Sequence, residues 1–158
     1  AFCNVLVNNG GAGLSIRNQD GNNGGENQLT SLTIADNTGY GIDLSTSSNP
    51  DGLSVVQNTI VWNNAGSATG WTPGDADTFT NNDYEGFFGS SSCTPDGDGN
   101  VDIDPQFQGS GDYRLHITSC LINKGTSTPV SSGDFEYDFE GQRRVLNGQA
   151  DIGADEKN

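Results

Sequence analysis

The sequence predicts an all-β fold of the β-solenoid class, in which short strands of successive repeats pair with one another. Three stretches, placed on their last asparagine, correspond to one another: NVLVNN-GGAGLSI, LTIADN-TGYGIDL and TIVWNN-AGSA. These asparagines are Asn9, Asn37 and Asn64, so the intervals are 28 and 27 residues. A near-constant period indicates a repeat architecture, and strands of period two without helical periodicity exclude a helical one.

Residue types keep the same place in each repeat. A branched aliphatic stands three residues before each asparagine, namely Leu6, Ile34 and Val61. We expect these three side chains to point inward and stack in one column. The asparagines Asn9, Asn37 and Asn64 are predicted to be structural corners, because asparagine tolerates left-handed backbone and its amide can bond to the next repeat.

The chain is predicted to divide into two parts. Residues 1–90 hold about three to four repeats, since DTFTNNDYEG reads as a fourth strand and Asp83 within it as a turn residue. From residue 91 to 158 the repeat is lost. Because the end of a solenoid exposes unpaired strand edges, this part is predicted to be an irregular cap. The arginines Arg114, Arg143 and Arg144 are expected to pair with its carboxylates at the surface.

The motifs of this second part resemble those of a known family. In order they read GNVDIDPQF, GDYRL, SCLINKG, DFEGQRR and ADIGADE. This order resembles the C-terminal region of bacterial parallel β-helix proteins of the choice-of-anchor Q type, although SCLINKG has no proline after its serine and carries Asn123 where the pattern often has aspartate. The resemblance implies a right-handed parallel β-helix, secreted or displayed on a cell surface, and no particular chemistry, because that fold hosts many functions.

The charge balance narrows the choice of partners. The chain has 21 acidic and 6 basic residues, a net charge of −15. Binding to nucleic acid is not expected, because it needs clustered lysine and arginine, and no apolar run reaches the roughly 18 residues that membrane insertion needs. The first residues, AFCNVLVNNG, read as a strand without a signal peptide or a cap before it. We therefore expect either further repeats upstream or head-to-tail self-assembly through this open repeat.

One acidic loop is a candidate calcium site. Its five oxygen-bearing residues alternate along DGDGNVDID, and they are Asp96, Asp98, Asn100, Asp102 and Asp104. Ca²⁺ takes six to eight oxygen ligands, which alternate residues of a glycine-rich loop can supply. The match to a calcium-binding loop fails further on, at Val101 and Phe107. A solvated acidic turn therefore remains the alternative.

The three cysteines match no metal-binding spacing. One interpretation is that all three are buried free thiols. The other is a disulfide between Cys93 and Cys120 in an exported protein, with Cys3 left over.

The sequence favours a non-catalytic extracellular or cell-surface β-solenoid with a structural or adhesive role. Trp62 and Trp71 are candidates for stacking on a polysaccharide or surface glycan, with packing as the alternative. No pair of carboxylates stands out as a catalytic pair. The alternative function is the C-terminal end of a larger polysaccharide lyase or glycoside hydrolase whose active site lies upstream.

Overall fold

The computed structural model describes residues 2–16, 27–43, 54–70, 77–86, 89–127, 136–146 and 148–157. Within these ranges the chain is all-β and contains no helix. The strands, β1 to β11 in chain order, are Val5–Val7, Leu14–Ser15, Asn27–Thr30, Thr33–Ala35, Ile42–Asp43, Ser54–Gln57, Ile60–Trp62, Thr78–Thr80, Asp83–Tyr84, Phe107–Gly109 and Asp112–Leu115.

Nine of these strands form three small parallel sheets, and the last two form an antiparallel hairpin. Sheet 1 has the order β1-β4-β7-β9, sheet 2 the order β3-β6-β8, and sheet 3 pairs β2 with β5. In sheet 1, Leu6 pairs with Ile34, Ile34 with Val61, and Val61 with Tyr84. The predicted aliphatic column is therefore confirmed.

Two columns of left-handed residues separate the strands of each repeat. Cys3, Ser31, Asn58 and Asn81 lie two residues before the strands of sheet 1, and Asn8, Asp36 and Asn63 lie directly after them; all have φ between 45° and 56°. Such φ values are uncommon for residues with a side chain and allow a sharp change of direction. The prediction that Asn9, Asn37 and Asn64 adopt this conformation is wrong, because the preceding residue adopts it in each repeat.

The main core lies on one face of sheet 1. Ile34, Val61 and Tyr84 are fully buried there, together with Leu32 from the corner and Ile42 from sheet 3. Because successive strand residues point to opposite faces, this side of sheet 1 is filled by alternate positions only. The neighbouring positions, including Ile60, must be covered from the other side.

The C-terminal part of the chain supplies that cover. A second core joins Ile60 to Val101, Leu115, Leu121 and Ile152. Residues 150–154 lie along the outer face of sheet 1, where Gly153 N donates to Asn58 O (2.8 Å) and Ala154 N donates to Thr33 Oγ1 (3.0 Å). Residues 98–101 continue the stack, since Val101 forms a parallel bridge with Asp83, and Ser90 in turn forms a parallel bridge with Val101. Residues 150–154 thus flank the sheet, and the division of the chain into repeats and an irregular cap at residue 90 stays a prediction.

Candidate functional site

The three corner asparagines form a hydrogen-bonded ladder. Asn37 Oδ1 accepts hydrogen bonds from both the backbone N and the side-chain Nδ2 of Asn9, each at 2.9 Å. Asn64 Oδ1 accepts the same pair from Asn37, at 3.1 and 2.8 Å. The Nδ2 atoms also donate back to the preceding repeat, from Asn37 to Leu6 O and from Asn64 to Ile34 O. Each amide therefore joins two repeats.

A second ladder runs along the other corner and was not predicted. Thr59 N donates to Asn82 Oδ1 (2.9 Å), and Asn82 donates from N (3.0 Å) and Nδ2 (3.2 Å) to Asn100 Oδ1. Asn82 and Asn100 are separated by only 18 residues, so a search at the period of 27 to 28 misses this pair. The sequence signal for the second ladder was TNNDY, in which two adjacent asparagines follow a strand as they do in VLVNN.

The five predicted calcium ligands lie in one loop, where three of them bind backbone N–H groups and Asn100 belongs to the second ladder. Asp96 Oδ1 accepts from the N of Asp98 (3.0 Å) and of Asn100 (2.8 Å). Asp102 and Asp104 accept from Gly86 N and Gln106 N. Across the described residues, no three His, Cys, Asp or Glu side chains are grouped closely enough to hold a metal ion. Calcium binding at this loop stays a prediction.

Two of the three cysteines are joined. Cys93 and Cys120 form a disulfide with a Cα–Cα distance of 5.4 Å, which ties the acidic loop to the turn after β11. This bond is consistent with an exported protein. Cys3 is a free thiol, and burial raises its pKa.

The two predicted sugar-stacking tryptophans have different outcomes. Trp62 is half-buried and packs against the second core, which is the packing alternative of the sequence prediction. Trp71 lies outside the described residues.

The candidate site is a groove of about 510 Å³ beside β1. Its walls come from β1, from the hairpin and from a turn near residue 140, and they include Val5, Val7, Asp112, Tyr113, Arg114, Phe139 and Glu140. A smaller cavity of about 110 Å³ shares Arg114 and Glu140 and extends toward Asp155 and Lys157. We refer to the larger of the two as the groove.

Charged side chains in the groove are paired. Arg114 Nε donates to Asp112 Oδ1 (2.8 Å), and Arg114 Nη1 lies 3.7 Å from Glu140 Oε1. The hydrogen bond from Arg114 holds the pKa of Asp112 at about 2, and Asp112 in turn raises the pKa of Arg114. The groove therefore presents a guanidinium that is paired with Asp112 and lies close to Glu140.

Buried polar groups hold the C-terminal residues in place. Arg144 was expected at the surface, yet it is 3% exposed and donates to Gly153 O (2.9 Å), Asp151 O (3.2 Å) and Ser31 Oγ (2.8 Å). Glu156 Oε2 accepts from Asp151 N (2.9 Å), and burial raises the pKa of this glutamate to about 7. Through these hydrogen bonds, the motifs DFEGQRR and ADIGADE attach residues 150–154, the C-terminal segment, to sheet 1.

Asp83 is a buried carboxyl in β9 and not the turn residue that the sequence suggested. Its Oδ1 accepts from Ile103 N (3.1 Å), whereas its buried Oδ2 has no hydrogen-bond partner in the part of the chain that the structure describes. Burial raises the pKa of Asp83 to about 8, and the nearby carboxylates of Asp102, Asp104 and Glu85 add to this. The Asp83 side chain is therefore protonated and uncharged at pH 7.

These features define an all-β chain of small parallel sheets with a polar and aromatic groove at its side. No protein-family model matches the chain, and comparisons with curated proteins and with solved structures gave no match either. In the described ranges, no helix has the length and apolar character needed to cross a membrane. The resemblance to the choice-of-anchor Q type stays a prediction.

Proposed function

We propose that this chain is a non-catalytic segment of an extracellular right-handed parallel β-helix with a structural or adhesive role. The observation that carries the proposal is the parallel register of three small sheets, in which strands of successive repeats lie side by side. A β-helix needs this arrangement, because each turn of its backbone pairs with the turns before and after it. The resemblance of the C-terminal motifs supports the right-handed form and the extracellular location.

The contacts of the polar side chains agree with a structural role for this chain. The ladder amides bond repeat to repeat, and Arg144 and Glu156 bond to backbone groups of the C-terminal segment. Buried polar networks whose members are bonded make a structure rigid and specify a single arrangement. The disulfide adds a further constraint, and its presence suits an oxidising, extracellular environment.

Substitutions of two asparagines in the first ladder test whether the repeats are stacked. Asn37 is buried between neighbours on both sides, whereas Asn9 is exposed at the edge of the ladder. Asn37→Ala should lower the free energy of unfolding by about 2–4 kcal/mol, because it leaves several buried groups without partners, and Asn9→Ala should lower it by less than about 1 kcal/mol. Urea unfolding of both variants measures this difference. Equal costs would contradict a stacked ladder.

The functional part is tested on polysaccharides. The protein should be retained on insoluble plant and bacterial polysaccharides without releasing reducing ends or unsaturated uronates. Release of either product would contradict the proposal and favour the alternative, a part of a carbohydrate-cleaving enzyme.

Self-assembly is a second component of the proposal. β1 is the edge strand of sheet 1, and residues 1–16 carry no charged side chain in a chain of net charge −15. Charged side chains are a common protection of edge strands, and β1 lacks this protection against pairing with another chain. Light scattering across a salt and Ca²⁺ series should show association as repulsion is screened. A chain that stays monomeric in every condition would exclude it.

A further inference from the structure

We propose that the groove binds a neutral sugar, with the ring of Phe139 as the stacking face and Asp112, Arg114 and Glu140 as the hydrogen-bonding groups. This inference deepens the adhesive role proposed above and rests on it. Trp62, which the sequence also pointed to, does not line this site.

The size of the groove suits a small glycan. Its volume is about 510 Å³, and ligand pockets span roughly 300–1,000 Å³, so there is room for on the order of one or two pyranose rings.

The groove has an apolar wall that matches the C–H face of a sugar ring. Phe139 is 41% exposed, and Val5 and Val7 lie in the same lining. Ligand pockets are lined mainly by hydrophobic and aromatic side chains with a few placed polar groups, and the groove has this composition.

The polar wall matches vicinal hydroxyl groups. A sugar hydroxyl both donates and accepts, so it can donate to a carboxylate oxygen and accept from a guanidinium N–H at the same time. Asp112, Arg114 and Glu140 place acceptors and donors side by side, and each is more than a third exposed or close to it in its side chain (35%, 42% and 33%). Their remaining hydrogen-bonding capacity faces solvent.

The charge of the groove argues against charged ligands. Among the described residues that line it, two carboxylates and one guanidinium give an excess of one negative charge, in a chain of net charge −15 that repels anions. A small cation would meet the guanidinium of Arg114 between the same two carboxylates, and no group of three metal-binding side chains occurs among the described residues. A neutral polyhydroxylated ligand is not repelled by the negative charge, and it carries no positive charge that would be repelled by the guanidinium of Arg114.

The walls are held in place before any ligand arrives. Tyr113 OH donates to Asp36 Oδ2 (2.7 Å) and accepts from Asn8 Nδ2 (2.9 Å), which fixes the hairpin to the corner of sheet 1. Asp138 Oδ1 accepts from Glu140 N (2.9 Å) and Gln142 N (2.7 Å), which fixes the turn that carries Phe139. Such preorganisation lowers the entropy lost on binding.

Titration of the protein with neutral disaccharides tests the inference. Cellobiose, lactose, maltose and xylobiose are followed by NMR or calorimetry, with digalacturonate and a lysine dipeptide as charged probes. At least one neutral disaccharide should bind, Phe139→Ala should weaken it about tenfold, and Glu140→Gln should weaken it as well. The matched control is Tyr137→Ala, since Tyr137 is 51% exposed but does not line the groove.

Three results would overturn the inference. They are no binding of any neutral disaccharide, binding of a charged probe only, and neutral binding that Phe139→Ala and Glu140→Gln leave unchanged. Thermal melts show that each variant is folded. Retention on polysaccharides that persists in Phe139→Ala would overturn this site and leave the adhesive role standing, whereas product release would refute the adhesive role itself.

Discussion

Replacing Asp83 by asparagine should make the protein more stable at neutral pH. The Asp83 side chain is fully buried in β9, with one oxygen bonded to Ile103 N and the other without a partner in the described part of the chain. Asp83→Asn keeps an oxygen for Ile103 N and replaces the carboxylic O–H by an amide N–H. The two side chains then differ mainly in that only aspartate titrates.

The size of the effect follows from the pKa of Asp83, which burial raises from 3.8 to about 8. Between these two values the folded protein holds a proton that the unfolded chain releases, so stability falls as pH rises. Each pH unit in this window costs about 1.4 kcal/mol. The difference between Asp83→Asn and wild type should therefore be near zero at pH 4 and on the order of 4 kcal/mol at pH 7.

Urea unfolding from pH 4 to pH 8 measures this difference. Asp155 and Glu156 also have raised pKa values, about 6 and 7, but they contribute equally to both proteins and cancel. Asp98→Asn is the matched control, since Asp98 is exposed, loses the same charge and is not among the carboxylates that raise the pKa of Asp83. If the wild-type and Asp83→Asn curves run parallel across the window, Asp83 is not held protonated and the reasoning is refuted.

Three further predictions concern the core, the disulfide and the acidic loop. Ile34→Ala should cost about 2–5 kcal/mol in urea unfolding, because Ile34 is fully buried between Leu6 and Val61; a cost under 1 kcal/mol would contradict the inward column. Reduction of the Cys93–Cys120 disulfide should lower the free energy of unfolding by about 3–4 kcal/mol, because it removes a constraint on the unfolded chain. Mass measurement after alkylation without reductant should find one labelled thiol, not three. A structural Ca²⁺ ion at 100 times its Kd should add about 2.7 kcal/mol, whereas a melting curve unchanged by EDTA and by Ca²⁺ would exclude it.

The sequence by itself determined the inward column of sheet 1 and the first asparagine ladder. Leu6, Ile34 and Val61, and the asparagines three residues after them, recur at a near-constant interval. In a stack of parallel strands, residues one period apart become direct neighbours, so a one-dimensional repeat predicts a three-dimensional contact. The period did not tell which corner residue takes the left-handed conformation, because Asn8 and Asn9, like Asn63 and Asn64, are the same residue type.

Only the tertiary structure decided what lies outside that column and that ladder. Arg144 and Asp83 look like ordinary surface charges in the sequence, yet both are buried, Arg144 against Asp151 and Gly153, and Asp83 beside Ile103. The groove likewise joins Val5 to Phe139, residues that no local pattern connects. Periodicity in the sequence predicts contacts between repeats. Contacts between a repeat and a non-repeating segment depend on where that segment packs. The burial of Arg144 and the shape of the groove follow from that packing.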